Sequence, residues 1–216
     1  VDSNLLFLCP MSLKSILSLL CYFPILVFSQ NIQIGIKGGL NLSHNKFETF
    51  SEGIPIPMVT EIEPSYHVGA LFEFYKEDQK VRFQMEVMYT GNGTNVRESD
   101  LTPEIAIKVN QIAVPLLAKL EATEDWSFTT GTYFGYLINA IEKNRFGERV
   151  DSKTNFQFFD FGLLIGFELR VNTHLAFDLR YNYGLLNFNN SILFAELETE
   201  RIYKNRTVNY GVVYKF

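Results

Sequence analysis

The sequence predicts an all-β fold: an eight-stranded antiparallel up-and-down transmembrane β-barrel, preceded by a cleaved leader. Three observations predict it. Apolar residues recur with period two in eight successive runs, while helical periodicity is almost missing. The connections between the runs alternate long and short. Aromatic residues make up 15% of the chain, with 20 Phe and 11 Tyr, a bias toward side chains that suit strands and interfaces.

The N-terminal segment reads as a signal peptide over residues 1–29. Met11 is followed by one lysine, Lys14, and then by an apolar run from Ile16 to Phe28. That run is short of the roughly 20 residues a membrane-spanning helix needs. Val27-Phe28-Ser29 supplies the residues a signal peptidase reads, so cleavage is expected after Ser29, leaving 30–216 as the barrel. Residues 1–10 read as an over-extended start, with Val1 as the true start the alternative. Cys21 follows Leu19-Leu20 rather than a small residue, which disfavours a lipid anchor. The other cysteine is Cys9, so the mature segment carries none and cannot rely on disulfides. The leader holds one acid, Asp2, and one base, Lys14, so the net charge of −5 is unchanged by its removal. No basic block points to nucleic acid.

The eight runs fall roughly at 31–43, 65–76, 80–91, 109–121, 126–140, 156–170, 174–187 and 207–216. In the third, Val81, Phe83, Met85, Val87 and Tyr89 alternate with Arg82, Gln84, Glu86, Met88 and Thr90. In the seventh, Leu175, Phe177, Leu179, Tyr181 and Tyr183 alternate with Ala176, Asp178, Arg180, Asn182 and Gly184. Charges keep to the second parity: Lys37, Glu73, Arg82, Glu86, Lys119, Asp160, Glu168, Asp178, Arg180 and Lys215. A Lys or Arg facing hydrocarbon at the bilayer midplane costs about 2–4 kcal/mol, which explains its exclusion from one face. On the other face these residues form a barrel-interior charge network of five acids and five bases. Pairs such as Glu86 with Arg82, or Asp178 with Arg180, are expected there. An eight-stranded interior is only wide enough for side chains to fill it, so a general porin is disfavoured.

The connections at 44–64, 92–108, 141–155 and 188–206 are long and polar, whereas 76–80, 121–126 and 170–174 are short turns. Outer-membrane barrels pair long extracellular loops with short periplasmic turns. The order therefore predicts a multi-pass protein of the cell outer membrane with both termini periplasmic. Trp126, Phe74, Phe128, Phe177 and Phe216 are expected at the periplasmic rim, and Tyr66, Tyr89, Tyr136 and Tyr183 at the opposite one, where rings with a polar edge are stable. Pro115 lies inside the fourth run. A closed barrel offers no edge for a missing N–H, so a bulge or local irregularity is expected there.

Several segments resemble the PorT-like outer-membrane β-barrel family of Bacteroidetes. They are Gly35-Ile36-Lys37-Gly38-Gly39-Leu40-Asn41, Ile112-Ala113-Val114-Pro115-Leu116-Leu117-Ala118-Lys119, Gly131-Thr132-Tyr133-Phe134-Gly135, Asp160-Phe161-Gly162-Leu163-Leu164-Ile165-Gly166 and Arg180-Tyr181-Asn182-Tyr183-Gly184-Leu185. The resemblance implies a small barrel of the Gram-negative envelope, and Pro115 is similar to a family trait. Some relatives serve a protein secretion and gliding apparatus. Asn209, Gly211, Tyr214 and Phe216 resemble the C-terminal assembly signal, which implies recognition by the barrel-assembly machinery. A terminal strand of this kind offers an unpaired backbone edge and lipid-facing rings.

No chemistry-bearing motif emerges. Of His44, His67 and His174, the first two are expected near the extracellular rim with Glu61, Glu63 or Asp151, yet no spacing supports catalysis or a metal site. The glycine pairs lack the following helix and Lys-Ser/Thr of a phosphate loop. No catalytic, cofactor or metal residue is therefore assigned, and the chain is not read as an enzyme. The expected role is structural or interactive, through the long loops, with outer-membrane lipid and envelope proteins as partners. Four alternatives stay open: a component of the secretion apparatus, a narrow channel, a rim enzyme, and a soluble lipocalin-like barrel with its apolar parity turned inward.

Overall fold

Eight strands close into one barrel. In the computed structural model, which describes residues 31–51, 53–56, 59–97, 104–144, 146–189 and 199–216, they are β1 (Asn31–Ser43), β2 (Glu63–Tyr75), β3 (Val81–Val96), β4 (Ile105–Glu121), β5 (Trp126–Asn144), β6 (Phe159–Arg170), β7 (Leu175–Gly184) and β8 (Arg206–Lys215). The expected signal peptide, with Cys9 and Cys21, lies outside the described residues. Each strand is hydrogen-bonded to the next in sequence, and β8 returns to β1. Closure runs antiparallel from Gly35 opposite Lys215 to Ser43 opposite Thr207. Only a closed sheet or a helix satisfies every backbone polar group within hydrocarbon.

Period two dictates which side chains meet in the middle. Outward positions carry Phe83, Phe134, Ile165, Phe177 and Tyr210, all exposed, while the inward parity carries Glu73, Glu86, Lys119 and Asp178, all buried. Exposed apolar side chains spread over every strand make a belt far larger than the patches soluble monomers tolerate. The lipocalin-like reading required the opposite arrangement and is overturned. At the rims, Trp126, Phe128, Phe177 and Phe216 are exposed at the short-turn end, with Tyr66, Tyr136 and Tyr183 at the long-loop end. Tyr66 lies against Tyr89 with ring centroids 5.9 Å apart.

Two features depart from the strand boundaries expected from sequence. First, β3, β4 and β5 run farther at the long-loop end, to Val96, from Ile105 and to Asn144. Short segments continue the sheet there: Thr60–Glu61 pairs with the end of β3, and Arg149–Asp151 with the end of β5. A separate ribbon joins Lys46–Ser51 to both Ile54–Ile56 and Thr199–Lys204. The long connections are thus partly β-structure. Second, the bulge between β4 and β5 falls at Asn110/Gln111, four residues before Pro115. Pro115 itself faces Tyr133 with the β5 register intact. Opposite β3, paired positions lapse between Met85/Leu116 and Met88/Ala113 and resume without a shift. The missing N–H thus leaves a gap in one ladder and no displaced residue.

The interior is layered. An apolar cap of Ile107, Val109, Leu137, Ala140, Phe156, Phe188 and Tyr203 fills the long-loop end. Phe156 bridges to Asn189 as an isolated pair, and its ring meets Tyr203 edge-on at 5.4 Å. Burial in this cap pushes the Tyr203 hydroxyl above the usual tyrosine range. Beneath the cap lie polar side chains and then charged ones.

Candidate functional site: the charged barrel interior

Alternation delivers side chains from every strand to one axis, and the charged ones gather in two groups. At the short-turn end Glu73, fully buried, accepts from Lys119 Nζ at 3.1 Å and Lys215 Nζ at 2.7 Å through Oε2, and from Arg82 Nη1 at 2.8 Å through Oε1. The same two lysines reach Glu168 Oε1, at 2.5 Å and 3.0 Å. Arg82 and Arg170 both contact Glu121 Oε1, at 2.6 Å and 2.7 Å. Glu121 and Arg170 were missed from sequence. They share the inward parity of Lys119 and Glu168 but are the last residues of their runs, where alternation ends.

The second group lies one layer farther in. Lys37 is paired with Asp178; Arg180 Nε donates to Asp178 Oδ2 at 2.7 Å, and its Nη1 lies 2.8 Å from Glu86 Oε1. Gln84 Nε2 donates to the same Glu86 oxygen at 2.5 Å. The expected Asp178–Arg180 pair is therefore formed, but the expected Glu86–Arg82 pair is not. Residues four apart on one strand are separated by about 13 Å, too far for contact; each instead meets a residue from another strand. Asp160 stands apart. It has no cation partner among the described residues and instead accepts from Tyr133 Oη at 3.0 Å and Asn205 Nδ2 at 3.2 Å.

His67 also departs from expectation. It points into the barrel, not to the rim, and its Nδ1 lies 2.6 Å from Asn41 Oδ1. His44 is exposed, and His174 sits in the turn before β7, so the three histidines are not brought together. His67 shares the parity of Glu73, and that would have placed it inside. Its Nε2, with Arg180 Nη2 and Asn182 Oδ1, borders a polar chamber of about 40 Å³, a size and lining that suit an ordered water. Among the described residues no group of three metal-ligating side chains converges.

Asn209, Gly211, Tyr214 and Phe216, expected from sequence to form an assembly signal, divide between the faces. Asn209 turns inward and donates to Asn41 Oδ1 at 2.5 Å, and Gly211 faces Gly39 across the closure. Tyr214 and Phe216 turn outward with their rings edge-on at 5.5 Å, and the Phe216 N–H donates to the Ile34 carbonyl at 2.9 Å.

Along β5, Trp126 and Tyr136 are ten residues apart. At about 3.4 Å per residue and a tilt of about 40° this spans roughly 26 Å, the height of the apolar band of outer-membrane barrels. A closed eight-stranded sheet with that belt outside and ion pairs inside defines a membrane-spanning β-barrel. Residues 28–190 match the model of the outer membrane protein β-barrel domain family, and the chain belongs to that family. It is accordingly an outer-membrane protein. The fold is similar to that of the outer membrane protein OprG from Pseudomonas aeruginosa, with 14% identity, a TM-score of 0.52, and coverage of 87% of this chain and 97% of that one. It is similar also to Neisserial surface protein A, with 13% identity, a TM-score of 0.52, and coverage of 86% and 99%. No curated protein sequence matches the chain.

Proposed function

We propose that this barrel stands with its termini and short turns in the periplasm, and acts at the cell surface as a structural or interaction module. One observation carries this reading: charged, polar and apolar layers fill the interior, while ordered β-structure projects beyond the membrane band at the long-loop end. A filled interior favours function on the outside of the molecule over function along its axis. Its partners are then outer-membrane lipid around the belt, the assembly machinery at the C-terminal strand, and envelope proteins at the loops. The PorT-like segments, among them Gly35–Asn41 and Arg180–Leu185, favour a second reading as a component of a secretion or gliding apparatus; that reading requires co-purification with envelope proteins and loss of export on deletion.

Orientation is tested with single cysteines, because the chain has none after Cys21. Phe146→Cys, at an exposed position beyond β5, is expected to react with an impermeant maleimide on intact cells. Asp78→Cys, in the β2–β3 turn, is expected to react only after lysis. The reverse pattern would turn the molecule over and remove the surface role.

A further inference from the structure

The sheet beyond the membrane band carries a cleft of about 490 Å³ on its outward face. Its floor follows from the strand registers. Glu61 lies opposite Asn95, Asn95 opposite Ala106, Ala106 opposite Lys143, and Lys143 opposite Arg149, so five side chains form one row across the sheet. Buried Ile107 and Val109 on β4 point inward, which sets Ala106 and Lys108 outward. Ala106, and Gly93 opposite Lys108 in the next row, keep the middle of the floor low.

Lys143 and Arg149 are the unusual feature. Like charges directly opposite on neighbouring strands are destabilising. Three such cation pairs occur among the described residues, and two are relieved. Arg82 and Lys119 share the Glu73 carboxylate, at 2.8 Å and 3.1 Å. Lys46, opposite Lys204, has Glu48 at 2.9 Å. Lys143 and Arg149 make no ion pair among the described residues, and both are exposed. Two of the three carboxylates lining the cleft are already engaged: Glu61 by Arg97, and Glu63 by Lys108 at 2.7 Å. The third, Glu104, lies within ion-pair distance of neither free cation.

A cleft whose lining holds four cations against three carboxylates, with two of the cations facing each other unrelieved, suits an anion with a polar body. The space exceeds that of a phosphate alone and fits one or two sugar rings. The row sits seven residues beyond Tyr136 on β5, roughly 15 Å farther from the band after tilt and bulge. Because it faces sideways above the roughly 5–8 Å that phospholipid headgroups add to each side of the core, only a taller saccharide headgroup reaches it from the membrane. We infer that this cleft binds a phosphorylated saccharide, either on an outer-leaflet glycolipid or as a soluble sugar phosphate. The glycolipid source rests on the orientation proposed above; the chemistry does not.

The test uses purified full-length barrel in zwitterionic detergent and in nanodiscs. The probes are glucose 1-phosphate, followed by calorimetry, and nanodiscs containing lipid A with and without its phosphates. Binding of a phosphorylated probe is expected, weakening with salt and lost when the phosphate is removed. Lys143→Ala with Arg149→Ala is expected to weaken it at least about tenfold, while the barrel keeps its heat-modifiable band. Arg149→Glu separates binding from folding. It converts a facing repulsion into a facing ion pair, so the unfolding midpoint rises while anion binding disappears. Preference for lipid A over glucose 1-phosphate assigns the source to the membrane, and the reverse assigns it to a solute. Absence of binding to both probes, or equal binding by wild type and the double variant, overturns the site. If binding in detergent persists but Phe146→Cys is unlabelled on intact cells, the orientation and with it the glycolipid source fail, and the phosphosaccharide site stands.

Discussion

Glu73 is the residue on which the largest number of buried charges depends, since Arg82, Lys119 and Lys215 all reach it. Four cations, Arg82, Lys119, Arg170 and Lys215, share three carboxylates there, so removing an acid and removing a base are not equivalent. Glu73→Gln leaves an excess of positive charge buried without its partner. Loss of one member of a buried ionic cluster costs about 3–5 kcal/mol. Lys119→Met removes the surplus charge with a side chain of similar length; Glu73 keeps Arg82 and Lys215, and Glu168 keeps Lys215. Its cost is expected below about 2 kcal/mol. Urea unfolding of both variants in lipid vesicles checks the order, and equal losses would show that the network does not act as a unit. At this scale the sequence was half legible. Period two told which charges lie inside, because a charge on the other face is excluded by lipid. Of the pairs, it told only Asp178 with Arg180, two apart on one strand; Arg82 finds Glu73 and Glu121, not Glu86, because partners on other strands depend on a stagger unwritten in any single run.

At the scale of elements, legibility follows the membrane. Where lipid selects apolar side chains on one face, alternation is strict and the eight strands were readable. Beyond the band that selection ends; β3 continues through Asn92, Gly93, Thr94 and Asn95, residues that read as a loop. The ribbon of Lys46–Ser51 with Thr199–Lys204 joins segments about 150 residues apart, a pairing no local pattern records. The closure of β1 with β8 makes a sharper demand. Gly39 and Gly211 face each other, and a Cβ at Gly39 would stand 1.9 Å from the Tyr210 carbonyl oxygen. A Cβ at the adjacent Gly38 meets nothing nearer than 3.7 Å. Gly39→Ala is therefore expected to force the two strands apart, at about 1–3 kcal/mol, and to lower the temperature at which the compact gel band is lost. Gly38→Ala is expected to leave that temperature unchanged. Equal behaviour of the two would mean that the closure is looser than the backbone approach implies.

For the whole molecule the question is whether three fillings in series close the axis. The charged group around Glu73 and Glu168 spans the short-turn end, the group around Asp178 and Arg180 lies above it, and the apolar cap closes the other end. Ions crossing such an interior would have to displace paired charges held by as many as three contacts each, and then pass the apolar cap. Unpaired buried charge is costly at each stage, so no single layer needs to be tight for the barrel to be closed. The wild-type protein in planar bilayers is expected to pass no steady current. The series arrangement makes a further claim: Phe156→Ala with Phe188→Ala, which hollows the cap, should also stay silent, because both charged layers persist below it. Discrete openings in the wild type would restore the narrow-channel reading. Openings confined to the cap variant would place the barrier in the aromatic layer alone and leave the ion pairs a purely structural part in holding the strands together.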